Sequence, residues 1–327
     1  MSFPRKNTLN SVPLLRTQDL CRDFPSGGFR GKSTRIVDNV NIEVHSGEIV
    51  GIVGESGSGK TTLARCCLRL LEPTSGYVYF DGQDLASIRP ASLRIKRREF
   101  QMIFQDPYAS LNPAMTVEEI LLEPLQVHKM NLLENTDAYL HELLSAVSLD
   151  TTLIKRRPGE LSGGQQQRVG IARGLALKPR LLIADEPVAA LDVSVQAQIL
   201  NLLADLKKQY TFTLILISHS LYVIHYLCDR VSVMYRGRIV EEAPATAFFN
   251  EPKHPYSRIL LDSMPMLDAP EQMQPITHRH INALVSNNRS CCVFHEHCPQ
   301  AFSICKEQIP SFKETGPGEK VACFLYL

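Results

Sequence analysis

The chain has 327 residues, 44% of them hydrophobic and 21% charged, with a formal net charge of +1. That length can bury one large core with a smaller appendage, and a charge so near zero excludes the strong field that drives binding to nucleic acid or an anionic membrane surface. The start "MSFPRKNTLN" is polar and no run reaches eighteen apolar residues, so neither a secretory leader nor a membrane span is expected, and the expected compartment is the cytosol, where thiols stay reduced.

In chain order, β-rich runs come first: "LLRTQDLCRDF", "RIVDNVNIEVH" and "EIVGIVG", the last running directly into "GESGSGKT" at Gly54 to Thr61. "TTLARCCLRLL" then has helical periodicity. "GYVYFDGQDL" reads as a hairpin with Asp81-Gly82 at its turn. The strand "EFQMIFQ" leads to a helical stretch from about Thr116 to Leu149, and a helix opens at Ser162 in "LSGGQQQRVGIARG". The strand "RLLIADE", the helix "SVQAQILNLLADLKKQY", the strand "TFTLILIS" and the run "DRVSVMYRGRIVE" follow. Strands alternating with helices predict a parallel sheet covered on both faces, hence an α/β fold. From Pro244 the pattern changes to Pro-punctuated helical pieces and then a cysteine cluster, which places a boundary near residue 250.

The segment "GESGSGKT" fits G-x-x-x-x-G-K-[ST] between a strand and a helix, the context that marks a phosphate-binding loop. Backbone N–H groups from Glu55 to Thr61, through Ser56, Gly57, Ser58, Gly59 and Lys60, can wrap phosphates at a helix N-terminus, and Gly54 and Thr62 are expected to flank them in the same nucleotide site. Lys60 can reach the terminal phosphate oxygens, and Thr61 can give its hydroxyl to Mg²⁺. "RLLIADEP" ends in two adjacent carboxylates whose side chains leave the strand in opposite directions. Asp185 is therefore assigned to Mg²⁺ and Glu186 to the attacking water. Gln105, closing "QMIFQ", is expected to touch Mg²⁺ and water. His219, just after an apolar strand, is expected at the carboxyl edge of the sheet, where ligands of doubly wound folds bind.

A phosphate loop, Gln105, "LSGGQ", "LLIADEP" and His219 in this order resemble the ATP-binding cassette of ABC transporters over roughly residues 14 to 260. The resemblance implies a P-loop NTPase cassette with a mixed sheet core, an antiparallel β subdomain and a helical subdomain at about 106–175. It also implies that Ser162, Gly163, Gly164 and Gln165 form the signature that faces the ATP of a second cassette. Phe24 matches the aromatic that stacks on adenine, and "ALD" at Ala190 to Asp192 the loop that crosses to the other subunit. Two positions depart from the family pattern: Ala189 stands where a serine is often found, and Ser220 where an aspartate commonly follows the histidine.

"FQDPYASLNP", "DEPVAALDVSVQAQILNLL" and "HPYSRILLDSMP" further resemble the dipeptide and oligopeptide permease ATPases. That branch implies a C-terminal domain at 251–327, a cassette at 1–250, ATP and Mg²⁺ as cofactors, and a location on the cytoplasmic face of the inner membrane. Its implied partners are a second, non-identical ATPase, two membrane permease subunits and an extracytoplasmic substrate-binding protein, with no nucleic acid. Nickel, glutathione, sugar or antimicrobial-peptide cargo is the alternative within the family; a soluble ATP-driven clamp on nucleic acid or ribosomes is the alternative outside it. Five of the nine cysteines lie after residue 290. Cys292, Cys298, Cys305 and Cys323 are spaced C-x5-C-x6-C-x17-C, and such a set can ligate Zn²⁺ or a [4Fe-4S] cluster. Spacing does not separate the two, nor does it exclude unligated or partly disulfide-bonded thiols; the branch resemblance favours iron–sulfur. Cys291 is a substitute ligand, and His297 stands where the branch has arginine. Cys66, Cys67 and Cys228 are expected to be packing residues.

Overall fold

A computed structural model describes residues 12–25, 33–130, 135–189, 191–210, 212–264 and 290–327. The strands are β1 (Leu15–Pro25), β2 (Ser33–Val40), β3 (Glu43–Val44), β4 (Ile49–Val53), β5 (Ser75–Phe80), β6 (Gln83–Asp84), β7 (Phe100–Ile103), β8 (Leu181–Asp185), β9 (Thr213–Ser218), β10 (Arg230–Tyr235), β11 (Arg238–Pro244), β12 (Lys313–Gly316) and β13 (Glu319–Val321). The helices are α1 (Lys60–Cys67), α2 (Pro90–Lys96), α3 (Pro107–Ser110), α4 (Val117–Val127), α5 (Thr136–Ala146), α6 (Gly163–Leu175), α7 (Val193–Gln209), α8 (Leu221–Leu227), α9 (Ala245–Asn250) and α10 (Pro255–Asp262).

The main sheet runs β12-β13-β11-β10-β4-β9-β8-β7. Its pairs from β10 to β7 are parallel, and those from β10 to β12 antiparallel. The central strands are unbroken apolar runs because both faces are covered. Val50, Ile52, Ile183, Ile215 and Ile217 belong to a core shared with α1 and the antiparallel sheet β2-β1-β5-β6. Their alternates Ile49, Val53, Leu182, Ala184, Leu214 and Leu216 pack instead with residues of α6, α7 and α8. Period-two alternation thus feeds two cores from one sheet, and each buried Leu or Ile stabilises by roughly 1.5–3 kcal/mol.

Local chemistry sets several of the boundaries. Asp81 (φ 53°) and Gly82 (φ 75°) form the two-residue turn between β5 and β6, a primed geometry that suits the strand twist. Helix α1 is shorter than its apolar periodicity predicts. Arg69 takes a left-handed conformation (φ 49°), and Leu70 donates its N–H back to the Arg65 carbonyl (2.8 Å). This is a Schellman-type stop at a residue that is usually Gly. The helical middle section divides into α4, with a capping box of Thr116 and Glu119, and α5, capped by Asn135. Cys66, Cys67 and Cys228 are buried, and burial pushes the Cys66 thiol up to about 11.

The change of composition near residue 250 does not separate two sheets. β13 pairs with β11 through Glu241↔Val321 and Glu242↔Lys320, so the C-terminal segment extends the main sheet. Buried Glu241 accepts the N–H groups of Lys253 and His254, each at 2.8 Å, where the chain enters α10. His254, 1% exposed, caps that helix by accepting the Tyr256 N–H on Nδ1 (3.0 Å). Burial, aided by the Arg258 charge, pushes the His254 imidazole down to about 3.

The unfolded chain takes up a proton near pH 6.5 that the native His254 refuses until about pH 3. Its contribution to stability is therefore complete above pH 6.5 and lost as the pH falls toward 3, at about 1.4 kcal/mol per pH unit. His254→Asn keeps a capping acceptor without the titration. Denaturant melts of the two proteins should have parallel stabilities above pH 7 and diverge by that slope between pH 6 and 4. Parallel curves throughout would show that the ring is not held neutral.

Candidate phosphate-binding site at the carboxyl edge of the sheet

The loop from Gly54 to Gly59 joins β4 to α1, so α1 presents its N-terminus to whatever the loop encloses. Gly54 (φ 154°) and Gly59 (φ 106°) both lie at positive φ. A Cβ on Gly54 would stand 2.1 Å from the Met234 carbonyl oxygen, and one on Gly59 2.6 Å from that of Ile36. Glycine is required at both positions by backbone angle and by contact. Ser56 and Gly57 form the exposed crest, whereas Ser58 and Lys60 are buried. The Lys60 ammonium donates to the carbonyls of Gly54 (2.7 Å) and Glu55 (2.8 Å) and lies 3.5 Å from the Ser58 hydroxyl. Burial depresses its pKa, while Glu186, Asp185 and Glu55 oppose the shift.

Three other strand ends bring side chains to the same edge. Asp185, the last residue of β8, accepts the Thr61 hydroxyl at 3.0 Å. Burial raises its pKa, against the Thr61 hydrogen bond. Glu186 follows it with φ 44°, a conformation that costs a non-glycine residue roughly 1–2 kcal/mol. Its N–H donates to the Ile217 carbonyl (3.0 Å) on β9, which holds the turn in place. Glu186 Oε2 receives Gln105 Nε2 at 3.1 Å and lies 3.2 Å from His219 Nδ1. The two acids are thus divided by partner, Asp185 with the loop hydroxyl and Glu186 with the amide and imidazole. Thr61 and Asp185 are an oxygen pair suited to Mg²⁺, whereas Gln105 turns its amide nitrogen to Glu186. Thr62 is half-buried in α1.

The second glycine-rich helix start stands apart in construction. Ser162 caps α6: its Oγ accepts the Gln165 N–H (3.3 Å), and Gln165 Oε1 accepts the Ser162 N–H (2.9 Å). Ser162 is exposed, with Gly163 and Gly164 partly so. A Cβ on Gly164 would lie 2.6 Å from Val195 Cγ1. Ala190 of the "ALD" tripeptide lies outside the described residues, while Asp192 sits just before α7. Ser220 donates its N–H to the Ser218 hydroxyl (2.9 Å). Phe24 is half-buried on β1, with the Arg22 guanidinium 4.7 Å from its ring centre.

Cys292, Cys298, Cys305 and Cys323 do converge, lining one small cavity together with His254, Phe294 and His295. The expectation of a metal shell finds no support in their arrangement. That cavity is about 10 Å³, close to the minimum for a single water. Burial pushes the Cys292 thiol up to about 11 and raises Cys298 and Cys323. Among the described residues no group of three or more His, Cys, Asp or Glu side chains is arranged to hold a metal ion. Neither an iron–sulfur cluster nor a Zn²⁺ shell at these thiols is supported by this arrangement. All nine cysteines are free of disulfides. Cys291 lies 3.5 Å from His295 Nδ1, and His297 Nδ1 is 3.3 Å from the Tyr235 hydroxyl.

Comparison with known proteins gives two family matches. Residues 37–189 match the ABC transporter model, and residues 240–305 match that of the oligopeptide/dipeptide transporter C-terminal region. The oligopeptide transport ATP-binding protein AppF of Bacillus subtilis is 43% identical over 324 residues, covering 97% of this chain and 98% of that protein. The ATP-binding cassette MJ0796, solved as a dimer in a post-hydrolysis state with ADP and Pi, superposes with a TM-score of 0.64 at 29% identity, covering 71% of this chain and 98% of that one. CbiO1 of Clostridium perfringens, part of the ABC transporter complex cbiONQ, gives 0.64 at 28% identity, covering 74% and 92%.

Proposed function

The chain belongs to the ABC transporter family and carries the C-terminal region of oligopeptide/dipeptide transporters, and from that premise we propose that it is the ATP-hydrolysing subunit of a peptide importer. The observation that supports hydrolysis best is the double hold on Glu186 Oε2 by Gln105 and His219 beside the phosphate loop. A carboxylate oriented this way can align a water for attack and take up its proton. Thr61 and Asp185 would hold Mg²⁺, which neutralises charge on the phosphates, and Lys60 would exchange its loop carbonyls for phosphate oxygens. Phe24 would stack on the adenine.

The signature at Ser162, Gly163, Gly164 and Gln165 would serve the ATP of a second cassette, adding a helix N-terminus and the N–H groups of Gly163 and Gly164 to the far side of the γ-phosphate. Binding then closes a pair of cassettes and hydrolysis opens it. No helix of the described residues is long and apolar enough to cross a membrane, so two permease subunits would supply the path. Tyr108, 62% exposed beside the signature in "DPYASLNP", suits a docking surface for them. The working complex would sit on the cytoplasmic face of the inner membrane, with a second ATPase and an extracytoplasmic peptide-binding protein.

Isolation of the tagged chain from its native membrane in mild detergent should recover two permease subunits and a second cassette. Vesicles containing that complex and the binding protein should take up labelled di- and tripeptides only with ATP. Uptake competed by nickel or glutathione but not by peptides would reassign the cargo. Recovery with nucleic acid and no permease would overturn the transporter reading.

A further inference from the structure

The stretch "HPYS" at His254 to Ser257 has no part in the nucleotide site described above, yet it is built with care. Glu241 of β11, 1% exposed, fixes the backbone entering the turn by accepting two consecutive N–H groups. His254 caps α10 through Nδ1, and Pro255 takes the first helical position, where no N–H is needed. The result is to project Tyr256, fully buried, toward the phosphate loop. Its hydroxyl accepts the N–H of Glu55 at 2.9 Å, across 201 residues of sequence. The ring is fixed by Tyr235 (centroids 4.5 Å apart) and Phe294 (5.4 Å).

We propose that Tyr256 is a positioning residue for the phosphate loop, its hydroxyl holding the first amide after Gly54 so that the loop keeps its nucleotide-accepting shape. The inference rests on the reading of that loop as the ATP site. Glu55 follows a glycine, the most conformationally free residue of the chain at this point. The far side of the loop is held separately: Gly237 donates its N–H to the Ser58 carbonyl (2.8 Å). The Lys60 ammonium already draws on the carbonyls of Gly54 and Glu55. Without an acceptor for the Glu55 N–H, a partly buried donor is left unsatisfied and the loop turns away from the competent shape to satisfy it. Nucleotide then binds only the remaining competent fraction, which raises its apparent Kd by the inverse of that fraction.

Tyr256→Phe keeps the ring packing and removes only the oxygen. In the full chain, calorimetric titration with Mg·ATP should give a Kd about fivefold higher than the native chain. In steady-state assays KM should rise by the same factor, with kcat within about twofold, because saturating nucleotide repopulates the competent loop. Adenosine, which lacks phosphates, should bind both proteins alike. Tyr235→Phe, which removes a hydroxyl from the same aromatic group without touching the loop, should leave the Kd for ATP unchanged. Native affinity for ATP in Tyr256→Phe overturns the proposal, as does equal weakening of adenosine or an equal effect of Tyr235→Phe. A native chain that binds no ATP removes the nucleotide reading itself, and this inference with it.

Discussion

Glu186→Gln should lower the rate of phosphate release by about 10³-fold, within the range of about 10²–10⁴ that a positioned general base contributes, while leaving ATP binding intact. The substitution is close to isosteric, so the loop, Lys60 and the Thr61–Asp185 hydrogen bond are not disturbed. A glutamine can still meet the Gln105 amide through its carbonyl oxygen, so the side chain can stay where Glu186 lies, 3.1 Å from Gln105 Nε2. What it cannot do is take a proton from water. Since the energetic cost falls on the transition state and not on the bound ATP, the cassette pair should accumulate in its ATP-closed form, visible by light scattering as a long-lived dimer. Turnover within tenfold of the native rate would remove Glu186 as the water's partner, and the search for the base would pass to His219.

Much of this site is legible in the sequence because its parts are local. "GESGSGKT" lies between an apolar strand and a helical pattern, and each glycine answers to a backbone angle that the motif itself demands. The strands β4, β8 and β9 read as continuous apolar runs, and the residues just past their ends are necessarily neighbours once the strands are parallel and in register. That is why the sequence alone puts Asp185 and Glu186 at the end of one strand and His219 at the carboxyl edge of the sheet. What is not legible is set by tertiary contact. No periodicity announces that Tyr256 will reach Glu55 or that β13 will extend the sheet beside β11. The positive φ of Arg69 and Glu186 is imposed on residues that do not favour it. The cysteine spacing shows a different limit. It brings four cysteines to the lining of one cavity, but carries nothing about the size of the space between them.

Gly163→Asp should separate binding from pairing. In this chain a Cβ on Gly163 would meet the Tyr108 hydroxyl at 3.3 Å and Leu191 Cδ2 at 3.4 Å, neither of them backbone. The aspartate would sit at the first helical position of α6, where a carboxylate favours the helix dipole by about 0.3–1 kcal/mol. Fold and stability should therefore be retained, and the affinity of the isolated chain for ATP should stay within about twofold of native. Across a closed pair the outcome is different: the new carboxylate would face the terminal phosphate of the opposing cassette in a desolvated space, and like charges placed together there cost several kcal/mol. ATP-dependent pairing measured by analytical ultracentrifugation should weaken by about 10²-fold or more, and ATP-driven peptide uptake should cease. Gly164→Ala does not make this separation, because its methyl would lie 2.6 Å from Val195 Cγ1 and disturb the helix start of its own chain. If Gly163→Asp pairs as well as the native protein, the signature does not face a partner's nucleotide; if it loses ATP binding as an isolated chain, the signature belongs to the chain's own site.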